Sequence, residues 1–501
     1  MTAFSTRILL HALALFTIVP MARAQDLQAA ENMTGKEGKA SLEDRPNIVF
    51  VLTDDQGYGD LACHGHPYVK TPNLDRLHAQ STRLTDYHVS PTCAPTRAAL
   101  MTGRAPFKNG ITHTILERER MALKATTIAE VLKSAGYATG IFGKWHLGDE
   151  DPYQPGARGF DEVFIHGAGG IGQAYPGSCA DAPGNKYFDP AIRHNGTFVK
   201  TRGYCTDIFF RQALGWIKSN RKKPFFAYIS TNAPHSPYVC PEKYQKLYEE
   251  KVNYKPRAAF YGMITNIDEN VGLLMRKLDE WDLAANTLLV FMTDNGSAAG
   301  DFNAGMRGKK ASLHEGGSRV PAFFRLPGRI KAGRDIDVLT RHIDIFPTFA
   351  EMAGASYDVE VDGRSLLPLL TGARPDWPAR YTFFHLGRWG KEGVEGWRNI
   401  KTCDPDEAQH QLFAVRDETW RLVNGDQLYN IRDDPGEKRN LIQQHPEVAK
   451  KMLNAYDKWW NKVRPFMVNE DVPLAKQHPY HAAYRKQREK TGIPEWSPPK
   501  L

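Results

Sequence analysis

The stretch Asn47-Ile-Val-Phe-Val-Leu-Thr53 is a continuous run of apolar residues, rich in β-branched side chains. A strand that is buried on both faces has this composition. Similar runs occur at 138–142, 224–230 and 287–293, and helical patterns lie between the runs, at 73–80, 127–135, 206–219 and 257–282. Buried strands that alternate with helices predict an α/β fold, in which helices flank a large mixed, mainly parallel sheet.

The rest of the chain divides into segments around that sheet. At 501 residues the chain exceeds the size of a single core. Short strand patterns at 414–423 and 426–431, then an amphipathic helix at 446–463, predict a smaller C-terminal α+β subdomain with an antiparallel sheet. The segment 145–205 is rich in Gly, Pro and aromatic residues, and we expect it to form the rim of a binding site. The predicted boundaries are a signal peptide (1–24), an N-terminal arm (25–45), the main domain (46–375), the C-terminal subdomain (376–472) and a basic tail (473–501), which we expect to be a solvated terminus.

The N-terminus has the parts of a secretory signal peptide. Arg7 precedes an apolar run at 8–21, and Ala22-Arg23-Ala24 follows as a cleavage site. The run is short for a bilayer span and His11 interrupts it, although a membrane anchor is the alternative interpretation. We therefore expect cleavage near Ala24 and export, to the periplasm or outside the cell, with no stable membrane anchor.

Composition narrows the function classes without selecting one. Hydrophobic content of 41% and charged content of 24% are typical of a globular protein. The net charge of +8 favours anionic partners in general, and we expect no nucleic-acid partner. Export permits disulfides, but the cysteine spacings match no zinc site and leave the pairing open. The cysteines are Cys63, Cys93, Cys179, Cys205, Cys240 and Cys403.

Two of the predicted strands are each followed by a pair of oxygen-bearing side chains. Asp54 and Asp55 come directly after the first run, and Asp294 and Asn295 come directly after the run that ends at Thr293. Ligands of open α/β sheets bind at the carboxyl ends of strands, so we expect the two pairs at one edge. Three carboxylates and an amide oxygen suit a hard cation, Ca²⁺ or Mg²⁺. Either pair alone would be explained as a strand-ending turn.

The most specific stretch of the chain is Ser-Pro-Thr-Cys-Ala-Pro-Thr-Arg-Ala-Ala-Leu-Met-Thr-Gly-Arg at 90–104. It contains Cys-x-Pro-x-Arg, formed by Cys93 and Arg97. If a helix begins at Cys93, Arg97 lies one turn on and shares its face, and the helix N-terminus favours negative charge beside Cys93. A lone cysteine is more simply a buried core thiol, but the neighbouring segments favour a chemical role for this one.

Four further side chains follow strand ends or glycine-rich turns. Lys144 and His146 lie two apart in Gly-Lys-Trp-His after one strand and point to the same side of an extended chain. His235 follows another strand in Asn-Ala-Pro-His-Ser-Pro, and histidine suits proton transfer near neutral pH. Lys310 lies in Gly-Lys-Lys-Ala-Ser-Leu-His-Glu-Gly-Gly at 308–317. Taken singly, each is also compatible with a surface position or a rigid loop.

Together these segments resemble the type I sulfatases of the alkaline phosphatase superfamily. The resemblance implies that a maturation enzyme converts Cys93 to Cα-formylglycine, an aldehyde whose hydrate attacks a sulfate ester. It also implies that a divalent ion, usually calcium, is bound by Asp54, Asp55, Asp294 and Asn295 together with residue 93.

The same resemblance implies roles for the remaining residues. Arg97 would orient the nucleophile, and Lys144 would hold the charge of the modified residue. Lys310, which the spacing to Glu-Gly-Gly selects over its neighbour, would contact the sulfate oxygens. His146 would remove a proton from the covalent sulfated residue, and His235 would assist the leaving-group oxygen.

The resemblance spans about residues 46–441 and implies a sulfuric ester hydrolase that acts on a sulfated small molecule or saccharide. The first alternative is a hydrolase of phosphate monoesters, phosphate diesters or phosphonates from the same superfamily. The second is a catalytically silent protein that binds sulfated glycans. The sequence does not determine the natural substrate, its regiospecificity, endo or exo action, or the oligomeric state.

Overall fold

The computed structural model describes residues 45–115, 119–175, 178–373, 376–387, 408–467 and 477–501. The predicted signal peptide, the predicted N-terminal arm up to residue 44 and Cys403 lie outside the described residues. Within the described ranges, no helix combines the length and the apolar character that a membrane crossing requires.

The strands are short, and the longest of them are those that the sequence predicts. In chain order they are β1 (Asn47–Thr53), β2 (Thr82–Leu84), β3 (Tyr87–His88), β4 (Ala138–Lys144), β5 (Glu162–His166), β6 (Ala191–His194), β7 (Thr197–Lys200), β8 (Phe225–Ser230), β9 (Thr287–Thr293), β10 (Ala322–Arg325), β11 (Arg334–Ile336), β12 (Thr340–Arg341), β13 (Thr382–His385), β14 (Phe413–Arg416), β15 (Trp420–Val423) and β16 (Gln427–Asn430).

The helices lie between these strands and after them. They are α1 (Pro72–Ala79), α2 (Cys93–Thr102), α3 (Ile128–Ser134), α4 (Cys205–Asn220), α5 (Glu242–Gln245), α6 (Lys255–Glu280), α7 (Glu315–Ser318), α8 (Ile345–Met352), α9 (Leu367–Thr371), α10 (Pro446–Val463) and α11 (Pro479–Thr491). Short 3₁₀ turns occur at Ala62–His64, Pro106–Asn109, Asp151–Tyr153, Pro155–Arg158, Ala284–Asn286, His342–Asp344 and Arg464–Phe466.

Among the described residues, ten strands form one sheet in the order β11-β2-β10-β9-β1-β8-β4-β5-β6-β7. The five central strands, from β9 to β5 in that order, are parallel to one another. The strands β10, β6 and β7 pair antiparallel, and β3 forms a separate small ladder with β12. The structure thus confirms the predicted α/β fold with a mixed, mainly parallel sheet.

The central strand β1 contributes to the core on both faces of the sheet. Ile48, Phe50 and Leu52 pack into one core layer, and Val49 and Val51 pack into the other. Helices α3 and α8 contribute to the first layer, and α4 and α6 contribute to the second. Burial of one such side chain contributes roughly 1.5–3 kcal/mol. The residues that follow β1 therefore start from a firmly held strand.

The predicted C-terminal antiparallel sheet is also present. Strands β13, β14, β15 and β16 pair in sequential order. Helix α10 packs on this sheet through Met452, Tyr456 and Trp460, which share a core with Phe413 and Leu428. The first strand of this sheet begins at Thr382, a few residues beyond the predicted boundary at 376.

Two stretches are more ordered than the sequence indicates. The glycine-rich segment 145–205 contributes β5, β6 and β7 to the main sheet, and His146 and the loop at 167–175 reach the site described below. The basic tail, expected as a solvated terminus, forms α11, and its Tyr480 is buried against Phe198 with ring centroids 5.2 Å apart. The backbone of the tail also pairs with β7, since the Trp496 N–H donates to the Lys200 carbonyl oxygen over 2.7 Å. The tail is therefore docked on β7, although Tyr480 is the one residue of its described part, 477–501, that is fully buried.

Candidate active site

The two predicted pairs of oxygen-bearing residues lie at one edge of the sheet. Strands β1 and β9 are parallel and in register at Thr53 and Thr293, so the residues that follow them are neighbours. The Asp55 backbone N–H donates to Asp294 Oδ1 over 3.1 Å, and Asn295 Nδ2 donates to Asp55 Oδ1 over 3.0 Å. These residues and Asp54 are buried. The geometry therefore brings three carboxylates and one amide together within a dry site.

This set of side chains fits a hard cation. Asp54 Oδ1 and Asn295 Oδ1 are buried oxygens without a hydrogen-bond partner among the described residues. An unpaired buried acceptor is costly, typically about 1–3 kcal/mol, and a bound cation would satisfy both. Asp54, Cys93 and Asp294 also offer ligand atoms that all lie within 4.8 Å of one another. Oxygen-rich donor sets of this kind suit Ca²⁺ or Mg²⁺.

Cys93 is the first residue of α2 and is 3% exposed. The helix begins where the sequence predicts, so Arg97 lies one turn further on. The Arg97 guanidinium donates to Asp294 Oδ2 from Nη2 over 2.7 Å and from Nε over 3.1 Å, and it also contacts Ser230 Oγ. Burial alone would lower the pKa of Arg97, but Asp294 outweighs it and the pKa is raised. Arg97 thus ties the start of α2 to the ends of β8 and β9.

Two lysines neutralise the carboxylates that follow β1. Lys144 Nζ donates to Asp54 Oδ2 over 2.7 Å, and Lys310 Nζ donates to Asp55 Oδ2 over 2.7 Å. Burial raises the pKa of Asp54 well above its usual value, against the opposing effect of Lys144. For Asp55, burial is outweighed by Lys310 and His235, and its pKa is lowered. The structure places Lys310 on the acidic cluster, as the spacing to Glu-Gly-Gly predicts.

The two predicted histidines lie on either side of the cluster. His235 is 8% exposed, its Nε2 lies 3.7 Å from Asp55 Oδ2, and burial lowers its pKa to about 3. His146 Nε2 lies 2.9 Å from Glu119 Oε2, and burial together with Lys144 lowers the pKa of His146. Both imidazoles are therefore neutral at neutral pH in this environment, and a neutral imidazole can accept a proton.

These residues open into a cleft of about 420 Å³. Its walls combine predicted site residues with residues that the sequence analysis did not single out. The predicted residues in the walls are Asp55, Cys93, His146, His235 and Lys310. The others are Thr114, Ile115, Gly169, Gln173, Tyr175, Ser236, Ala298 and Ala311. The loop at 167–175 thus forms part of the rim that was expected somewhere within 145–205.

Sequence reasoning missed two residues that hold the site together. Ser230 is the last residue of β8 and contacts Arg97; its position at a strand end of the same edge was a usable signal. Glu119 contacts His146 and lies in the connection between α2 and α3. No pattern in the sequence marks Glu119, because its charged neighbours resemble a solvated turn.

Comparisons with known proteins identify the family of the chain. The sequence model of the sulfatase family matches residues 46–355, and the model of the N-sulphoglucosamine sulphohydrolase C-terminal region matches residues 308–462. The chain belongs to the sulfatase family, and its curated relatives are named as sulfatases, which are sulfuric ester hydrolases. The predicted family and enzyme class are thereby confirmed.

Individual relatives cover most of the chain. Arylsulfatase A of Bos taurus is 31% identical over 82% of this chain and 86% of its own length. N-acetylgalactosamine-6-sulfatase of Canis lupus familiaris is 30% identical over 80% of this chain and 82% of its own. The crystal structure of Ps i-CgsB in complex with k-i-k-neocarrahexaose superposes with a TM-score of 0.72 and 28% identity, covering 89% of this chain and 98% of that one. This chain is similar to each of them along nearly the full domain.

Proposed function

We propose that the protein hydrolyses a sulfate monoester on a sulfated saccharide, with Cys93 converted to Cα-formylglycine by a maturation enzyme. The proposed metal is Ca²⁺, with Mg²⁺ as the alternative, held by Asp54, Asp55, Asp294 and Asn295. The observation that carries the proposal is the meeting of residue 93, this oxygen cluster, two lysines and two histidines at one cleft. An ordinary core thiol packs among apolar side chains, whereas Cys93 Sγ lies within 4.8 Å of oxygens of Asp54 and Asp294.

When present, the formylglycine hydrate supplies the nucleophilic hydroxyl, and the cation stabilises the negative charge on that oxygen and on the sulfate. The protein's own groups supply the rest. Asp294, fixed by Arg97, is placed to take the proton of the attacking hydroxyl. Lys144 and Lys310 offset charge on the sulfate oxygens, and preorganised groups of this kind give large catalytic effects.

The two histidines handle the remaining protons. His235 assists the departing alcohol oxygen, and His146 takes the proton that must leave residue 93 when sulfate is released. A serine at position 93 has only one hydroxyl and therefore has no second proton to give up at this stage. This is the reason to expect the chemistry to depend on the aldehyde.

The substrate class rests on the relatives and on the shape of the cleft. One relative is named for N-acetylgalactosamine-6-sulfate, and one structural neighbour contains a neocarrahexaose. The cleft wall bears Gln173, Tyr175 and Ser236, which are polar and aromatic groups suited to a sugar. We also propose export, with cleavage near Ala24, because a saccharide polymer of this kind is met outside the cytoplasm.

The proposal is tested first by mass spectrometry of the tryptic peptide that contains Cys93. Conversion to the aldehyde lowers its mass by about 18 Da. The converted protein should then release sulfate from aryl sulfates with a higher kcat/KM than it shows on the matched aryl phosphates. Cys93→Ser should give at most one turnover per site. Sustained turnover by Cys93→Ser, or a preference for the aryl phosphate, would refute the proposal.

A further inference from the structure

We infer that Glu119 is a positioning residue for His146, which selects the imidazole tautomer that can accept a proton at the cleft. The inference rests on the proposed function for the role of His146 in releasing sulfate. The placement of Glu119 stands independently of that role. Neither the sequence patterns nor the acidic cluster at the strand ends includes this carboxylate.

The geometry around His146 assigns a different environment to each ring nitrogen. Nε2 lies 2.9 Å from Glu119 Oε2 and 3.0 Å from the Thr114 carbonyl oxygen. Both neighbours are hydrogen-bond acceptors, so Nε2 carries the hydrogen of the neutral ring. Nδ1 is buried and has no hydrogen-bond partner among the described residues. Nδ1 is therefore the nitrogen that keeps a free lone pair, on a ring that lines the same cleft as Cys93.

Glu119 is itself held in place. It is 1% exposed, and its second oxygen, Oε1, accepts the Cys179 backbone N–H over 2.6 Å. The adjacent Arg120 is anchored by ion pairs with Asp149 and Glu150, at 3.5 Å and 2.6 Å. With one oxygen fixed by the backbone, the other has a fixed direction toward His146.

The backbone and a neighbouring glycine fix the ring from the other sides. His146 has a positive φ of 61°, a conformation that non-glycine residues rarely adopt. A Cβ on Gly169 would lie 2.7 Å from His146 Cε1, so the imidazole occupies the space that a side chain at 169 would fill. The ring is thus confined to a narrow range of orientations, and Glu119 decides which nitrogen bears the hydrogen.

The carboxylate has a second consequence when His146 takes up a proton. Burial and Lys144 disfavour a charged imidazole at this position. A buried cation is costly unless a partner compensates it, and Glu119 is the carboxylate in hydrogen-bond contact with the ring. His146 therefore accepts the proton, and the Glu119 carboxylate stabilises the imidazolium ion that results.

The test is Glu119→Gln. The Cys179 N–H requires an oxygen, so the glutamine amide is expected to keep its oxygen there and to turn its NH₂ toward His146 Nε2. This arrangement favours the tautomer with hydrogen on Nδ1, which cannot accept a proton at the cleft. Since a positioned general base contributes about 10²–10⁴-fold to rate, kcat should fall by about that factor. KM should stay nearly unchanged, because Glu119 is not among the residues that line the cleft.

A readout independent of activity is the ring ¹⁵N spectrum of histidine-labelled protein in which Cys93 is left unconverted. The signal of His146 is assigned by its loss in His146→Gln. The wild type should show hydrogen on Nε2, and Glu119→Gln should shift the population toward hydrogen on Nδ1. Glu119→Asp, which keeps the charge with a shorter side chain, should restore the wild-type tautomer in part and recover part of kcat.

Glu162→Gln is the matched control. It removes a carboxylate that contacts another histidine, His194, over 2.8 Å and does not line the cleft, and both kcat and the tautomer of His146 should be unchanged. If a folded Glu119→Gln protein keeps the wild-type tautomer and kcat, the inference is overturned. The Thr114 carbonyl would then be enough to hold the hydrogen on His146 Nε2. If instead the wild type fails to release sulfate, the proposed function fails while the ¹⁵N spectrum still decides the role of Glu119.

Discussion

At the scale of single residues, the site depends on backbone conformations that the local sequence does not favour. Asp55 and His146 have φ values of 67° and 61°, in the left-handed region. Strained residues of this kind persist when the surrounding structure over-determines them, and they cluster at functional sites. Asp55 is held by Lys310 and Asn295, whose contacts compensate for the strain. Each of these two residues lies just after the end of a strand, and its left-handed backbone turns its side chain toward the cleft.

At the same scale, the close approach of Gly169 to the His146 ring can be tested by substitution. Its added Cβ in Gly169→Ala would lie 2.7 Å from His146 Cε1 and 2.8 Å from Nε2, so the ring must move. Displacement of a reacting group by about 1 Å can cost about 10²-fold in rate. We expect kcat on an aryl sulfate to fall by at least about tenfold, with little change in melting temperature.

The matched control for that substitution is Gly156→Ala. Its Cβ would meet Val163 Cγ2 at 3.9 Å, an ordinary contact, and the glycine lies outside the cleft. The kinetics of this variant should equal those of the wild type. Equal kcat values for Gly169→Ala and Gly156→Ala would show that His146 tolerates movement.

At the scale of elements, the Glu-Gly-Gly segment joins the two sheets. Glu315, the first residue of α7, is fully buried and accepts from Arg416 Nε over 2.9 Å and from Arg421 Nη1 over 2.8 Å. These arginines belong to β14 and β15, while Lys310 lies five residues before Glu315. Burial alone would raise the pKa of Glu315, but Arg416 and Arg421 outweigh it and lower that pKa to about 2. One short segment thus anchors the C-terminal sheet and carries a lysine of the site.

Glu315→Gln should therefore change how stability depends on pH. Because the folded pKa lies below the usual 4.5, the stabilisation by Glu315 is present above pH 4.5 and is lost as pH falls toward 2. At pH 7 the variant should be less stable by about 3–5 kcal/mol, as when a buried ion pair loses one partner. Urea unfolding should show this difference shrinking from pH 5 to pH 3.

The exposed pair of Glu242 and Lys246 provides the contrast for that measurement. These side chains are 76% and 64% exposed, and exposed pairs contribute little to stability. Glu242→Gln should leave the free energy of unfolding unchanged at every pH. A gap between wild type and Glu315→Gln that stays constant down to pH 3 would contradict the assigned pKa of Glu315.

At the scale of the whole molecule, the site lies where separate parts of the chain meet. Strands β1, β4, β8 and β9, helix α2 and the loops before α7 each contribute a side chain to one edge of the sheet. Lys144, Lys310 and Arg97 pair with the carboxylates after β1 and β9, but Asp54 Oδ1 and Asn295 Oδ1 stay buried without a hydrogen-bond partner among the described residues. A bound cation would satisfy both oxygens and link the strand ends. Its effect should therefore be visible in the stability of the folded chain.

Calcium is expected to stabilise the metal-free protein through mass action. A ligand at 100 times its dissociation constant contributes about 2.7 kcal/mol when it binds only the folded state. Differential scanning calorimetry should show a melting temperature that rises with Ca²⁺ and returns after chelation. Asp54→Asn should lose most of this rise, whereas Glu489→Gln on the exposed face of α11 should keep it. An undiminished rise in Asp54→Asn would place the binding elsewhere.

The sequence by itself determined the central strands, the fold class and most of the proposed site. Continuous apolar runs mark strands buried on both faces, and residues directly after such strands share an edge wherever the strands are parallel. Asp54, Asp294 and Lys144 could therefore be placed from local pattern alone. Cys93 and Arg97 followed from a specific motif that also begins a helix. The family comparison confirms the sulfatase class to which these residues point, while their individual roles stay predictions.

Only the tertiary structure decided which groups support those residues. Glu119 meets His146 across 27 positions and Ser230 meets Arg97 across 133, and no periodicity links residues so far apart. The contacts of Arg416 and Arg421 with Glu315 are likewise long-range and have no signal in the local sequence. The tail packs on β7 because doing so buries apolar side chains there. Local patterns report which face a residue occupies, whereas long-range packing chooses its partners. The sequence therefore does not determine which residues pair with each buried charge.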